Sequence, residues 1–98
     1  MSWELVPSSS FENAKKKYLK YYPQFKQELE NSFKILSDDP FNPKLKTHKL
    51  KGTLEGSLSC RINYSLRLIF SFNYIFDEKG NKKEIILLET LETHDEVY

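Results

Sequence analysis

Apolar residues recur at helical spacing in the first third of the chain. Between Ser8 and Leu36 they fall three or four positions apart, and Pro23 divides the series in two. Such a stripe is typical of amphipathic helices, and a proline ends one helix and begins the next. The pattern therefore predicts a helical hairpin. Its apolar positions are Phe11, Ala14, Tyr18, Leu19 and Tyr22, followed by Phe25, Leu29, Phe33 and Leu36.

The period changes from helical to alternating after Pro43. Two segments, 58–64 and 66–72, alternate apolar with polar residues, as half-buried strands do. The polar side of these two strands carries Arg61 and Arg67, and the alternation predicts that both are exposed. The predicted buried positions are Leu58, Cys60, Ile62 and Tyr64, and then Leu66, Leu68, Phe70 and Phe72.

Two further strands complete the predicted sheet. A continuously apolar strand is expected at 84–90, after a turn at 77–81, and a short edge strand at 3–6. The order of strand, two helices and a meander of strands favours an α+β fold, with one domain over 1–98. We expect the helical hairpin to pack on one face of a mainly antiparallel sheet. The opposite face is then free for a ligand.

Composition places the chain among ordinary globular proteins. Of its 98 residues, 39% are hydrophobic and 30% are charged, which leaves room for one domain. Cys60 is the only cysteine, so neither an intramolecular disulfide nor a multi-cysteine metal site can form, and we expect a cytoplasmic setting. No apolar run approaches the roughly 18 residues of a membrane span. The first residues also lack a secretory signal, and no membrane partner is expected.

Positive charge is concentrated in the middle of the chain, although the net charge is only +1. The segment 44–76 contains four lysines and two arginines, against Glu55 as its single acidic residue. A segment of this kind either binds phosphates or forms a solvated lysine-rich face. Charge alone leaves both interpretations open.

Few residues have the chemistry that catalysis requires. The two histidines, His48 and His94, do not lie at a metal-ligand spacing, so no metal site is predicted. Serine-hydrolase and phosphate-loop motifs are absent. Cys60 is in phase with the buried positions of its strand, which argues against a thiol nucleophile. We therefore expect neither a metal nor a cofactor.

Several short motifs follow one another in a defined order. They are His48-Lys49-Leu50-Lys51-Gly52, then Arg61-Ile62, then Arg67-Leu68-Ile69-Phe70, and finally Thr93-His94 with Tyr98. This series resembles the RelE/ParE superfamily of bacterial type II toxins, in particular its YafQ and YoeB branches. The resemblance covers nearly the whole chain. It implies a ribosome-dependent mRNA endonuclease that a cognate antitoxin neutralises, so antitoxin, ribosome and mRNA are the implied partners; the oligomeric state is not predicted.

The resemblance also implies roles for individual residues. His48 and His94 match the two histidines of a YafQ-like active site, and Tyr98 matches its terminal aromatic residue. Arg61 matches the catalytic arginine of RelE and YoeB. The remaining basic side chains of the middle segment would bind the RNA backbone. These are Lys46, Lys49, Lys51 and Arg67, the last of which is alternatively an ordinary sheet-face residue.

Two positions depart from the YafQ pattern. Ser65 stands in place of an aspartate and Thr90 in place of an arginine. Neither side chain supplies a carboxylate or a fixed positive charge, so activity is expected to be weaker or to use different groups. Two alternatives therefore stay open, namely a ParE-type poison of DNA gyrase and a catalytically silent binding module of the same fold.

The residues implied by the resemblance suit RNA cleavage without a metal. In that reaction the 2′-OH attacks the adjacent phosphorus, which requires a base, an acid for the 5′-oxygen and positive charge beside the phosphate. Imidazole titrates near neutral pH and serves as base or acid. A guanidinium such as that of Arg61 binds two phosphate oxygens at once. Tyr98 would stack on an unpaired base or orient the phosphate.

Overall fold

The computed structural model describes residues 2–51 and 56–93, and in this part of the chain two helices cover one face of a five-stranded sheet. The elements are β1 (Glu4–Pro7), α1 (Ser9–Tyr21), α2 (Phe25–Asp38), a 3-10 turn (Pro43–Leu45), β2 (His48–Lys49), β3 (Leu58–Arg61), β4 (Leu66–Phe76) and β5 (Lys82–Thr93). The strand order is β1-β5-β4-β3-β2. Only the β1–β5 pair is parallel among these strands. The predicted α+β class and mainly antiparallel sheet are confirmed.

Ser8 connects the first helix to the sheet. Its hydroxyl oxygen accepts the N–H of Phe11 at 3.1 Å, which caps the N-terminus of α1. The same hydroxyl donates to the carbonyl of Glu89 on β5 at 2.9 Å. The beginning of the helical hairpin is therefore fixed against a central strand, while α1 and α2 meet around Pro23, which has no N–H to continue the first helix.

The apolar core lies between the helices and the sheet. Leucine and aromatic residues from the two helices meet alternate residues of β3, β4 and β5. The buried core residues are Phe11, Tyr18, Leu29, Leu36, Leu45, Leu58, Cys60, Ile62, Leu66, Leu68, Phe70, Ile86, Leu88 and Leu91. Burial raises the pKa of the Cys60 thiol to about 12, although the charge of Arg67 acts in the opposite direction. The thiol is therefore protonated at neutral pH, in agreement with the predicted packing role.

The strands differ from the predicted ones in length and regularity. β4 and β5 continue beyond the rest of the sheet as a two-stranded hairpin that reaches Phe76 and Lys82. β5 also contains a bulge, because Ile69 pairs with Thr90 while the next residue of β4 pairs with Leu88. Glu89 is the extra residue. Neither described helix is long and apolar enough to cross a membrane.

Candidate functional site

The candidate site lies on the face of the sheet opposite the helices, here called the polar face. Paired residues of neighbouring strands point to the same face, and successive residues alternate. The strand register therefore gives two rows of side chains on the polar face. The first row is His48, Ser59, Ile69 and Thr90, and the second is Arg61, Arg67 and Glu92.

The polar face is accessible at its rim but not at its centre. His48 is exposed, and Arg61 and Thr90 are half-buried. In contrast, Ser59 and Ile69 are 0% and 1% exposed. The expectation that this whole face is free for a ligand is therefore wrong for its central residues.

The structure brings His48 and Arg61 together. His48 of β2 lies directly opposite Ser59 of β3, and Arg61 lies two residues farther along β3 on the same face. Diagonal neighbours of this kind have Cα atoms about 7–8 Å apart. Side chains as long as imidazole and guanidinium can contact one phosphodiester from these two positions.

A main-chain hydrogen bond orients the imidazole of His48. Its Nδ1 lies 3.1 Å from the carbonyl oxygen of Lys46. A carbonyl can only accept, so Nδ1 carries the hydrogen when the neutral ring makes this bond, and Nε2 then carries the lone pair. This tautomer gives His48 the form that a general base requires.

Lys46 adopts an unusual backbone conformation for a residue with a side chain. Its φ angle is +50°, in the left-handed region, directly after the 3-10 turn. That conformation directs its carbonyl oxygen to His48, two residues later. The side chain of Lys46 is exposed.

Lys49 and Lys51 do not share the polar face with His48. Lys49 pairs with Leu58, whose side chain belongs to the helix-side core, and it therefore lies on the opposite side of the sheet edge from His48. Both lysines are exposed and line a cavity of about 740 Å³ with Phe41, Leu58 and Phe72, among others. Their predicted contact with the RNA backbone stays a prediction, and the geometry sets them apart from the histidine.

Arg67 is not exposed as its strand phase predicts. Its exposed fraction is 9%, and its Nη1 donates to the carbonyls of Asn63 at 2.9 Å and Tyr64 at 3.3 Å. The physical reason is the turn at 62–65, whose carbonyls face the guanidinium. Arg67 therefore stabilises the β3–β4 turn, and its predicted contact with RNA stays untested.

Tyr64 is the second departure from the predicted alternation. The sequence pattern places it on the buried side of a strand, but β3 ends at Arg61 and the ring of Tyr64 is 83% exposed. The guanidinium carbon of Arg61 lies 5.9 Å from the centre of this ring. Arg61 also donates from Nε to the Asn63 carbonyl at 3.3 Å.

Sequence reasoning missed a polar cluster beside these residues. Ser57 donates to the carboxylate of Glu89, at 2.9 and 3.1 Å from its two oxygens. The nearby hydroxyl of Ser59 is buried and has no hydrogen-bond partner within residues 2–51 and 56–93. One signal was available, since Glu89 is the only charged residue within the apolar run 85–91.

The remaining predicted site residues, His94 and Tyr98, lie outside the described residues. Within 2–51 and 56–93, no three histidine, cysteine or acidic side chains are grouped as a metal site would require.

Comparisons with known proteins connect this fold to bacterial toxins. No protein-family model and no curated protein sequence matches the chain. Among solved structures, a YoeB/ParE toxin from Agrobacterium tumefaciens superposes with a TM-score of 0.71 at 16% identity, over 93% of this chain and 98% of the other. YafQ from E. coli gives 0.72 at 16% identity, over 98% of both chains.

A third similar structure contains an antitoxin. In the toxin–antitoxin complex RelBE2 from Mycobacterium tuberculosis, the matching chain gives a TM-score of 0.64 at 15% identity, over 96% of this chain and 100% of that one. All three are toxins of the RelE/ParE type. The resemblance that the sequence motifs carry is thus confirmed in three dimensions: this chain has the fold of the RelE/ParE-type toxins.

Proposed function

We propose that this protein is the toxin of a bacterial type II toxin–antitoxin system, and that it cleaves mRNA on the ribosome in the cytoplasm. The fold shared with YoeB, YafQ and RelBE2 supports the toxin role. One observation carries the enzymatic part of the proposal. An exposed, oriented histidine and an arginine occupy diagonal positions on the polar face, as His48 and Arg61 do.

The proposed reaction is attack of a ribose 2′-OH on the adjacent phosphorus. His48 takes the 2′-OH proton at Nε2 as the O2′–P bond forms. Arg61 binds the equatorial oxygens, where negative charge increases in the transition state. His94 donates a proton to the 5′-oxygen as the P–O5′ bond breaks, and Tyr98 holds the base or the phosphate. The products are a 2′,3′-cyclic phosphate and a 5′-hydroxyl.

The proposed partner is an antitoxin with an acidic and apolar segment. Lys46, Lys49 and Lys51 are exposed basic side chains that such a segment can reach. Phe41 adds an apolar wall to the cavity that the last two lysines line. Binding there would also cover the approach to β2. Charge would steer the association, so it should weaken as salt rises.

The test is induced expression followed by primer extension on a translated message. Cuts within codons that disappear when the start codon is removed support ribosome-dependent cleavage. His48→Gln, Arg61→Lys and His94→Ala should each abolish or strongly reduce the cuts. Lys79→Ala is the control, because Lys79 lies in the exposed turn of the β4–β5 hairpin, far along the chain from the site.

Two other results would contradict the enzymatic proposal. Growth arrest with intact mRNA and inhibited DNA supercoiling would indicate a gyrase poison of the same fold. A chain that is harmless on expression, and whose neighbouring open reading frame neither binds it nor affects growth, would indicate a silent binding module.

A further inference from the structure

Tyr64 lies at the tip of the turn that joins β3 to β4, with its ring in solvent. Its exposed fraction of 83% is the largest among the described large apolar side chains. By comparison, the core rings of Phe11 and Phe70 are 1% and 0% exposed, and the next most exposed of the described aromatic side chains, Tyr21, is 68% exposed. An aromatic side chain stabilises a fold mainly by burying its apolar surface, and the exposed ring of Tyr64 buries little of it. The ring is therefore available to a ligand.

The turn that carries Tyr64 is held in one conformation. The side-chain oxygen of Asn63 accepts the N–H groups of Ser65 and Leu66, each at 2.8 Å. From below, the buried guanidinium of Arg67 donates to the carbonyls of Asn63 and Tyr64. A ring on such a support loses little conformational freedom when it binds, which favours affinity.

Arg61 connects this ring to the candidate active site. Its guanidinium carbon is 5.9 Å from the centre of the Tyr64 ring, and it lies on the polar face diagonal to His48. One guanidinium thus adjoins both the exposed ring and the position proposed for the scissile phosphate. Proteins that bind single-stranded RNA stack its bases on aromatic rings and guanidinium planes. In a nucleotide the base and the phosphate are close to each other. One nucleotide can therefore contact the ring of Tyr64 with its base and the guanidinium of Arg61 with its phosphate.

We propose that Tyr64 is the base-stacking residue of this protein, whose ring receives a nucleobase of single-stranded mRNA adjacent to the phosphate at Arg61. The inference rests on the proposed function and adds a substrate-positioning residue to it. Every nucleobase has a flat aromatic face, so this contact tolerates different bases. It supplies affinity and position and leaves the proton transfers to the histidines.

The test measures binding to ribosomes programmed with an mRNA that carries 2′-deoxynucleotides in the A-site codon, so that no cleavage occurs. Stacking contributes about 1–3 kcal/mol per base, so Tyr64→Ala should raise the apparent Kd roughly 5- to 150-fold. Tyr64→Phe keeps the ring and should bind as the wild type does. A 4-thiouridine in the same codon should crosslink to Tyr64 in the wild type.

Tyr74 offers a matched control. It is also an exposed tyrosine, at 54%, with Lys82 Nζ 4.3 Å from its ring, but it lies in the distal half of β4. Tyr74→Ala should leave the apparent Kd unchanged. Because Tyr64 is exposed, Tyr64→Ala should also melt at the wild-type temperature, which separates lost stacking from lost fold.

The outcomes distinguish this inference from the proposed function. If the wild type cleaves mRNA and Tyr64→Ala binds programmed ribosomes equally well, the stacking role is wrong while the endonuclease stands. Equal losses for Tyr64→Phe and Tyr64→Ala would also overturn it, since the hydroxyl would then be the binding group. Loss of antitoxin binding alone would assign Tyr64 to a protein interface instead. A wild type that neither binds nor cleaves would refute both proposals.

Discussion

Ser57 and Glu89 are joined across the sheet, although 32 positions separate them in the sequence. The serine hydroxyl donates to both carboxylate oxygens, at 2.9 and 3.1 Å. Glu89 belongs to β5, and Ser57 directly precedes β3. Strand β4 lies between β5 and β3, so the glutamate side chain must cross β4 to reach the serine. The bulge in β5 makes this possible, and Ser8 fixes the bulge by donating to the carbonyl of Glu89. A carboxylate is thus held on the polar face beside the candidate site.

Two serine variants of this face should change stability in opposite directions. Ser57→Ala removes a hydrogen bond to a charged group and should lower the free energy of unfolding by about 1.5–3 kcal/mol. Ser59→Ala removes a buried hydroxyl that has no hydrogen-bond partner in the described part of the chain. An unsatisfied buried polar group costs about 1–3 kcal/mol, so Ser59→Ala should raise the free energy of unfolding. Denaturant titration of the two variants and the wild type measures both effects.

The pair of variants provides its own control, because the two substitutions remove the same atom at nearby positions, Ser57 directly before β3 and Ser59 within it. A loss of stability in Ser59→Ala would show that its hydroxyl has a partner in solution. An unchanged free energy of unfolding in Ser57→Ala would show that the bond to Glu89 contributes nothing.

Two arginine variants should separate chemistry from structure. Arg61→Lys keeps the charge but loses the planar donor group, so single-turnover cleavage on ribosomes should fall about 10²-fold or more. Its melting temperature should change little. Arg67→Lys should instead lower the free energy of unfolding by about 1–3 kcal/mol, since the ammonium group lies on a shorter side chain and does not reproduce the hydrogen bonds of Nη1 to the carbonyls of the β3–β4 turn. Equal cleavage rates for wild type and Arg61→Lys would contradict the role of Arg61.

Two variants of Lys46 that carry the same charge as each other test the backbone conformation at this position. Both Lys46→Gly and Lys46→Ala remove the positive charge, but only glycine adopts a φ of +50° without a steric cost. That cost is about 1–2 kcal/mol for a residue with a Cβ atom. Lys46→Gly should therefore be more stable than Lys46→Ala by about 1 kcal/mol in denaturant titration. Equal stabilities would mean that this backbone conformation is relaxed in solution.

The same pair of variants also tests the role of Lys46 in RNA binding. If its side chain binds the RNA backbone, both variants should bind programmed ribosomes more weakly by the same factor. A loss confined to one variant would point to the carbonyl that orients His48, and not to the lost charge.

The fold was predictable where one residue pattern determined one structure. The helical stripe ending at Leu36 and the alternation around Cys60 depend only on spacing, and both elements are present. Tyr64 fits the alternation equally well, yet it is exposed, because the length of a strand depends on its partner and on the turn. Arg67 is buried for a related reason, since the carbonyls that it binds come from a turn conformation that spacing does not reveal.

The candidate site was predictable in part. The sequence motifs predict His48 and Arg61 as site residues, and the strand register places these two residues on one face of the sheet. The contact between Ser57 and Glu89 depends on a bulge and on the order of three strands, and no local pattern in the sequence encodes either. The separation of Lys49 from His48 depends on the pairing of a strand of two residues, which is too short to give a periodic signal.

Cys60 should make stability depend on pH in the alkaline range. Burial raises the pKa of its thiol from 9.0 to about 12 in the folded protein. The unfolded chain therefore releases the thiol proton at a lower pH than the folded chain does. Ionisation then favours the unfolded state, so the free energy of unfolding falls as pH rises from about 9 towards 12. At pH 10 the loss should be about 1 kcal/mol relative to pH 7.

Denaturant titrations at pH 7 and pH 10 check this prediction by difference. Cys60→Ala should lose about 1 kcal/mol less between the two pH values than the wild type, because it has no thiol to ionise. Ile86→Val is the control, since it also removes buried volume from the core but keeps the thiol, and it should show the wild-type dependence. The remaining alkaline loss, from other groups, is common to all three proteins. An identical pH dependence in Cys60→Ala and wild type would show that the Cys60 thiol ionises equally easily in the folded and unfolded chain.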